Sequence, residues 1–213
     1  MLTHSSSDHE ASQRSVKVSK RGPGRWDTYF HPVLATPTAR LRKLRPDDRC
    51  RLVEIFDEQG RTEGTIDAPR HFAVDNARRW IAARMAEEDM GYALHWAVCL
   101  PSEDGLVGYV GLQDIDFQHR RAELCFWLET FQGSGDFQLD VAHAALAFAF
   151  ATMELNSIRA LSTPGRLAPT GVLTALGMRQ LQPTSKAGSV WTRFDDVHIW
   201  TITKHHWAEQ LGS

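Results

Sequence analysis

The chain has few cysteines, no long hydrophobic run and almost no net charge, and each shortage closes off a class of protein. Its 213 residues hold three cysteines, Cys50, Cys99 and Cys125. An odd number at such wide spacing builds neither a disulfide framework nor a zinc knuckle. It fits a reducing compartment, so a cytoplasmic location is expected. The most apolar stretch, from Asp140 to Phe150, falls short of the roughly 18 apolar residues that a membrane helix needs. The N-terminus is polar, and no secretory signal is expected. A net charge of −2 exerts no global pull toward nucleic acid or anionic lipid, and neither is expected as a partner. Histidine is plentiful, but His205 and His206 are adjacent on a predicted strand and point to opposite faces. No metal is expected.

What is present organises itself around residues 122–150. Ala122 to Thr130 alternates as a strand, with Leu124, Phe126 and Leu128 on one face and Glu123, Cys125 and Trp127 on the other. Gly133-Ser134-Gly135 follows, and then a helix that is apolar nearly all round, which reads as a core helix. A glycine loop before a helix is either a plain turn or a ring of bare amides that suits a phosphate.

The flanking elements fall in order. Residues 1–35 carry little apolar surface and read as a disordered or loosely docked extension, ahead of one domain over 36–213. Its basic cluster, Lys17, Lys20, Arg21 and Arg25, is a solvated tail or, less well supported, an RNA contact. Trp26, Tyr29 and Phe30 are expected to dock on the domain or on a second subunit, with the C-terminal strand as the other place for a homodimer contact. Ala39 to Arg45 predicts the first strand. Pro46-Asp47-Asp48 starts a helix. Residues 61–70 predict a polar loop, and Arg70 to Glu88 a second helix. Leu94 to Leu100, Leu106 to Asp116 and the central strand form an antiparallel meander, with a hairpin turn at Pro101 to Gly105. Ser157 to Thr163 is the next strand, Leu167 to Leu176 a short helix ended by Gly177, and Trp191 to Phe194 pairs with Val197 to Thr203 as a final hairpin.

Arg120-Arg121-Ala122-Glu123-Leu124-Cys125-Phe126-Trp127-Leu128, followed by Gln132-Gly133-Ser134-Gly135, resembles the central motif of the GNAT superfamily of acyl-CoA-dependent N-acetyltransferases, in the branch with the RimJ/RimL ribosomal-protein acetyltransferases. Thr38 to Asp48, Leu106 to Leu112, Leu173 to Met178 and Asp196 to Trp200 agree in the same order. The resemblance implies an α/β (α+β) GNAT fold: a mixed, mostly antiparallel sheet of about seven strands flanked by about four helices. It implies acetyl transfer from acetyl-CoA to a primary amine, a protein N-terminus or a small molecule, by direct attack on the thioester. Pantetheine would bond to backbone groups of Phe126, Trp127 and Leu128 in the gap where the central strand splays from the next. The pyrophosphate would sit on the amides of Gln132, Gly133, Ser134, Gly135, Asp136 and Phe137, with Arg166 as a phosphate partner.

Glu123 is the candidate base, since a carboxylate shielded from water can accept a proton near neutral pH; the competing reading is an ion pair. Asp114, with Asp116, would steer a cationic amine, and Tyr109 faces the same cleft. Arg61, Glu63 and His71 lie in the segment that lines the acceptor side in such folds. His119, on a hairpin tip, is too exposed to favour as a base. Three features depart from the family pattern. Phe137 stands where a small residue is usual and Asp136 sits beside it. Arg166 and Pro169 replace polar positions. Thr170, Val172, Leu173 and Thr174 leave no tyrosine acid. These departures motivate an alternative, a GNAT-fold binding or regulatory module that has lost catalysis.

Overall fold

In the computed structural model the described residues are 31–57, 62–64, 74–129, 135–162, 170–181 and 197–212. The expected meander is its centre. The strand β4 (Leu94–Cys99) pairs antiparallel with β5 (Leu106–Asp116), and β5 with β6 (Arg121–Glu129). Ahead of it lie β1 (Leu34–Ala35), β2 (Arg40–Lys43), the helix α1 (Asp48–Asp57), β3 (Thr62–Gly64) and α2 (Val74–Asp89). After it come α3 (Gly135–Ala147), a π-helical turn (Phe148–Thr152), β7 (Ser157–Ser162), α4 (Thr170–Ala175), β8 (Arg179–Gln180), β9 (His198–Thr203) and α5 (Lys204–Leu211). The strands form one mixed sheet in the order β1-β2-β4-β5-β6-β7-β9-β8, with β3 added to β6. Among the described strands only β6 and β7 run parallel.

Alternation along β6 sorts the core into two layers. Leu124, Phe126 and Leu128 pack with Val110 and Leu112 against Val141, Leu146 and Leu173 of α3 and α4. Cys125 and Trp127 face the other way, with Tyr109, against Leu52, Ile55 and Phe56 of α1 and Ala77 and Ile81 of α2. A one-residue slip would exchange the two sets, so burial on both faces fixes the register. The first helix is pinned at its start by a buried bidentate pair, Arg42 to Asp48 at 2.7 and 2.9 Å. Gly177 ends α4 at φ +73°, as its position in the sequence predicts.

The sheet has nine described strands rather than about seven, and five α-helices rather than about four. The extra strands, β1, β3 and β8, have two or three residues each, too few to show an alternation of their own. Residues 62–64, expected in a loop, are recruited by the edge of β6. His205 and His206 lie on the helix α5 and not on a strand: the Thr203 hydroxyl accepts from the His206 amide and caps the helix. The final hairpin expected at 191–203 falls partly outside the described residues; β9 is held by β7 and β8.

The N-terminal approach to β1 is anchored through His31. Its Nε2 donates to the His95 carbonyl at 3.0 Å, its ring lies 5.1 Å from Trp96, and the Trp96 indole donates to the Pro32 carbonyl at 2.8 Å. Burial holds the His31 imidazole down at about 4, from an ordinary 6.5. Between those values the unfolded chain binds the proton and the folded one does not, so stability falls as pH drops from 6.5 toward 4. Urea unfolding is expected to show a loss of up to about 3 kcal/mol across that window, at about 1.4 kcal/mol per pH unit. The His31→Gln variant should flatten it, and an unchanged slope would show that His31 is not the group responsible.

Candidate active site

Strand β6 changes neighbours along one edge. β5 covers its other edge from Arg121 to Leu128. On this edge β7 pairs only with Arg121, Ala122 and Glu123, through Ser157, Ile158 and Arg159. Beyond that point β7 stays with β9, and no described residue pairs with this edge of β6 until β3 joins Trp127, Leu128 and Glu129. The two parallel strands therefore part immediately after the Glu123–Arg159 pair, and backbone groups of residues 124–126 border the gap.

A charged cluster sits where the strands part. The Arg159 guanidinium donates to Glu123 Oε2 through Nε and to Asp114 Oδ2 through Nη2, both at 2.8 Å. Asp114 reaches it because β5 carries a bulge between Gln113 and Asp116, with Asp114 at φ +48°, a conformation that costs a non-glycine residue of order 1 kcal/mol or more. Asp116 accepts from the His119 amide at 3.0 Å and is paired with Arg121 at 3.2 Å; the His119 contacts hold its carboxyl below the usual range. Asp114, Asp116, Arg121 and Arg159 line a cavity of about 480 Å³, together with Leu181 and Ile199 among others. With Glu123, three carboxylates meet two guanidinium groups, which leaves one net negative charge beside the gap.

The residues named from sequence are distributed unevenly around this point. Glu123 and Asp114 are brought together, through Arg159, which sequence reasoning did not single out. Tyr109 is fully buried between Trp80 and Trp127 rather than on the cleft wall. Phe126 and Leu128 turn their side chains into the α3 layer and offer only backbone. Trp127 packs on Phe56 and Trp80. Its indole N–H is buried without a hydrogen-bond partner among the described residues. Phe137 is buried in the core and Asp136 is exposed in the first turn of α3. Gly135 opens that helix, and the backbone of Glu63 pairs with Leu128. Arg61, His71, Gln132, Gly133, Ser134, Arg166 and Pro169 lie outside the described residues. Among the described residues no group of three His, Cys, Asp or Glu side chains could hold a metal.

These features fit a pantetheine chain, which brings amide groups in need of partners. An open strand edge, a buried donor without an acceptor and a helix start beyond them lie in sequence along β6. Strand β3 limits the fit, because it occupies the edge from Trp127 onward.

The sequence pattern of the acetyltransferase (GNAT) domain family matches residues 39–179. Among solved structures, RimJ of Mycobacterium smegmatis in complex with CoA-disulfide is 19% identical, with a TM-score of 0.65, covering 85% of this chain and 95% of that one. A GNAT-family acetyltransferase from Bacillus anthracis is 18% identical at TM-score 0.64, over 82% of this chain and 99% of that one. The RimL ribosomal alpha-N-protein acetyltransferase in complex with coenzyme A is 14% identical at TM-score 0.65, over 81% and 98%.

If pantetheine takes the edge of β6, β3 must leave it. On addition of CoA, the amides of residues 62–64 are expected to exchange with deuterium about tenfold faster while those of Leu112 and Leu124 stay protected. Binding of CoA with unchanged or greater protection at 62–64 would contradict this.

Proposed function

We propose that this chain, which belongs to the acetyltransferase (GNAT) domain family, transfers an acetyl group from acetyl-CoA to a primary amine, a protein N-terminus or a small molecule, at the point where β6 and β7 part. The observation that carries the reading is the pairing of Glu123 with Arg159 at the last shared register of the two strands. Bound acetyl-CoA supplies an activated acetyl carbonyl and a thiolate leaving group.

The chain's own residues do the rest. The net negative charge of Asp114, Asp116 and Glu123 over Arg121 and Arg159 draws an ammonium toward the cavity. A carboxylate oxygen of Glu123 takes the proton that the attacking amine must lose. The ion pair with Arg159 opposes that step, and Asp114 answers the opposition: the guanidinium already contacts both acids, so it remains paired when Glu123 becomes neutral. Backbone groups of 124–126 border the reacting carbonyl, and an amide N–H aimed there stabilises developing charge without reorganising. The Trp127 indole N–H is a further donor for an amide oxygen of the donor substrate.

The departures in the glycine loop do not favour a non-catalytic module. Phe137 is buried in the core and Asp136 is exposed to solvent. Three cysteines, none in a disulfide, support the cytoplasm as the place of action. Of the two places expected for a homodimer contact, Trp26, Tyr29 and Phe30 lie outside the described residues, and β9 is paired with β7 and, at Trp200 and Thr201, with β8.

The test is thiol release from acetyl-CoA with tripeptide amides bearing a free N-terminal Ser, Ala or Met, and with 1,4-diaminobutane. Turnover of at least one acceptor is expected. The Glu123→Gln variant should lose about 10²–10⁴-fold in kcat while its melting temperature still rises with CoA. Retained kcat would remove Glu123 from the role of base, and no turnover of any acceptor by the wild type would overturn the reading.

A further inference from the structure

Two branched aliphatic side chains stand side by side on the outer face of the sheet, where strand alternation calls for polar residues. Along β9, Trp200 and Ile202 are buried in the core, so Ile199 and Thr201 face outward. Leu181 follows β8 directly. Its amide donates to the Ile199 carbonyl at 2.8 Å, which continues the β8–β9 register by one pair and sets both side chains on the same face. Ile199 is 42% exposed and Leu181 is 50% exposed. Apolar residues exposed singly are ordinary. These two are neighbours, and both line the cavity that holds Asp114, Asp116, Arg121 and Arg159.

The register sets the spacing between the charged end of the cavity and the apolar end. Arg159 pairs with Glu123 on one side and with Thr201 on the other. Ile199, two residues from Thr201, is therefore the diagonal neighbour of Arg159, about 7–8 Å away. Leu181 lies one strand further out, about 4.8 Å beyond Ile199. An outward row thus runs from Glu123 through Arg159 to Ile199 and Leu181. At its first end the Asp114 carboxylate, 68% exposed, and Glu123 share the Arg159 guanidinium. The excess of one negative charge there balances one ammonium. At the other end Thr201, Ile199 and Leu181 carry no charge, and an ammonium placed on them would lose water without gaining an acceptor.

We propose that Leu181 and Ile199 select the acceptor, and that it is a monoamine with an apolar group close to its nitrogen: the ammonium beside Asp114 and Glu123, the apolar group over the two side chains. The inference rests on the reading of Glu123 and the β6–β7 gap as the site of transfer. A peptide N-terminus with an apolar second side chain and a simple alkylamine share this chemistry. A diamine or polyamine does not, because its second charge would fall on the apolar end. The acids therefore draw in any amine, and the aliphatic pair decides which of them stays.

The test is kcat/KM at saturating acetyl-CoA for propyl-, butyl-, pentyl- and hexylamine, for 1,6-diaminohexane, and for the tripeptide amides Ser-Ser-Ala and Ser-Leu-Ala, with the wild type, Leu181→Asp and Ile199→Ala. Each added methylene should raise kcat/KM about threefold, and Ser-Leu-Ala should exceed Ser-Ser-Ala about tenfold. Hexylamine should exceed 1,6-diaminohexane about tenfold or more. Leu181→Asp should flatten the alkylamine series and bring the diamine level with hexylamine, and Ile199→Ala should make the series less steep. Each ratio is taken on one preparation, so loss of folded protein cancels. A rise in either series that the variants remove supports the proposal and tells a peptide acceptor from a small amine. Turnover with both series flat in the wild type, or with a rise that neither variant moves, overturns the proposal and leaves the site of transfer standing. A wild-type dimer that Leu181→Asp dissociates in sedimentation velocity, with the acceptor ratios unmoved, would give the pair to a contact between copies and overturn it too. No acceptor turned over by the wild type would overturn both readings.

Discussion

A backbone amide taken from water needs a partner, and β6 has to find partners for a whole edge after β7 leaves it. Everything distinctive about the molecule follows from how that edge is divided. β7 satisfies three residues and departs, β3 satisfies three more, and the stretch between borders a gap. The departure of β7 cannot occur at random, because its remaining residues are held to β9 through Ser162. The gap is therefore built into the pairing of three strands, and side chains around it have little say in whether it exists. That is why a chain less than a fifth identical to solved acetyltransferases keeps their fold.

Much of the fold was legible in the sequence for the same reason. Alternation over 122–130 separated Leu124, Phe126 and Leu128 from Cys125 and Trp127, and burial on two faces enforces that division. The turn at Pro101 to Gly105 and the stop at Gly177 were readable because they depend on local backbone preference. What escaped were elements whose reason for forming lies in another part of the chain. β3 is too short to carry a pattern and exists because β6 has an open edge. The strand periodicity through β9 ran on into His205 and His206, although Thr203 was a helix cap in plain view.

The site was legible in its anchor and obscure in its partners. Glu123 stood out as an acid on a central strand, yet the ion pair and the base are not exclusive roles once Asp114 shares the same guanidinium. Arg159 offered no signal, since an arginine on a strand facing solvent is ordinary until the register places it opposite Glu123. Tyr109 was expected at the cleft and is instead buried in a polar chain that runs from Glu87 through His95 to Gln113 and Cys125. That chain joins residues from α2, β4, β5 and β6, and no spacing within one element announces it. Its individual members read as a helix-end acid, a strand histidine and a strand amide.

The central claim is that the gap after Glu123 receives the acyl donor. The most direct measurement is a crystal structure of the complex with acetyl-CoA. The account predicts pantetheine along β6 past the Glu123–Arg159 pair, the acetyl carbonyl within reach of backbone amides of 124–126, and β3 lifted from Trp127–Glu129. Acetyl-CoA bound elsewhere on the surface, with β3 still paired to β6, would contradict it.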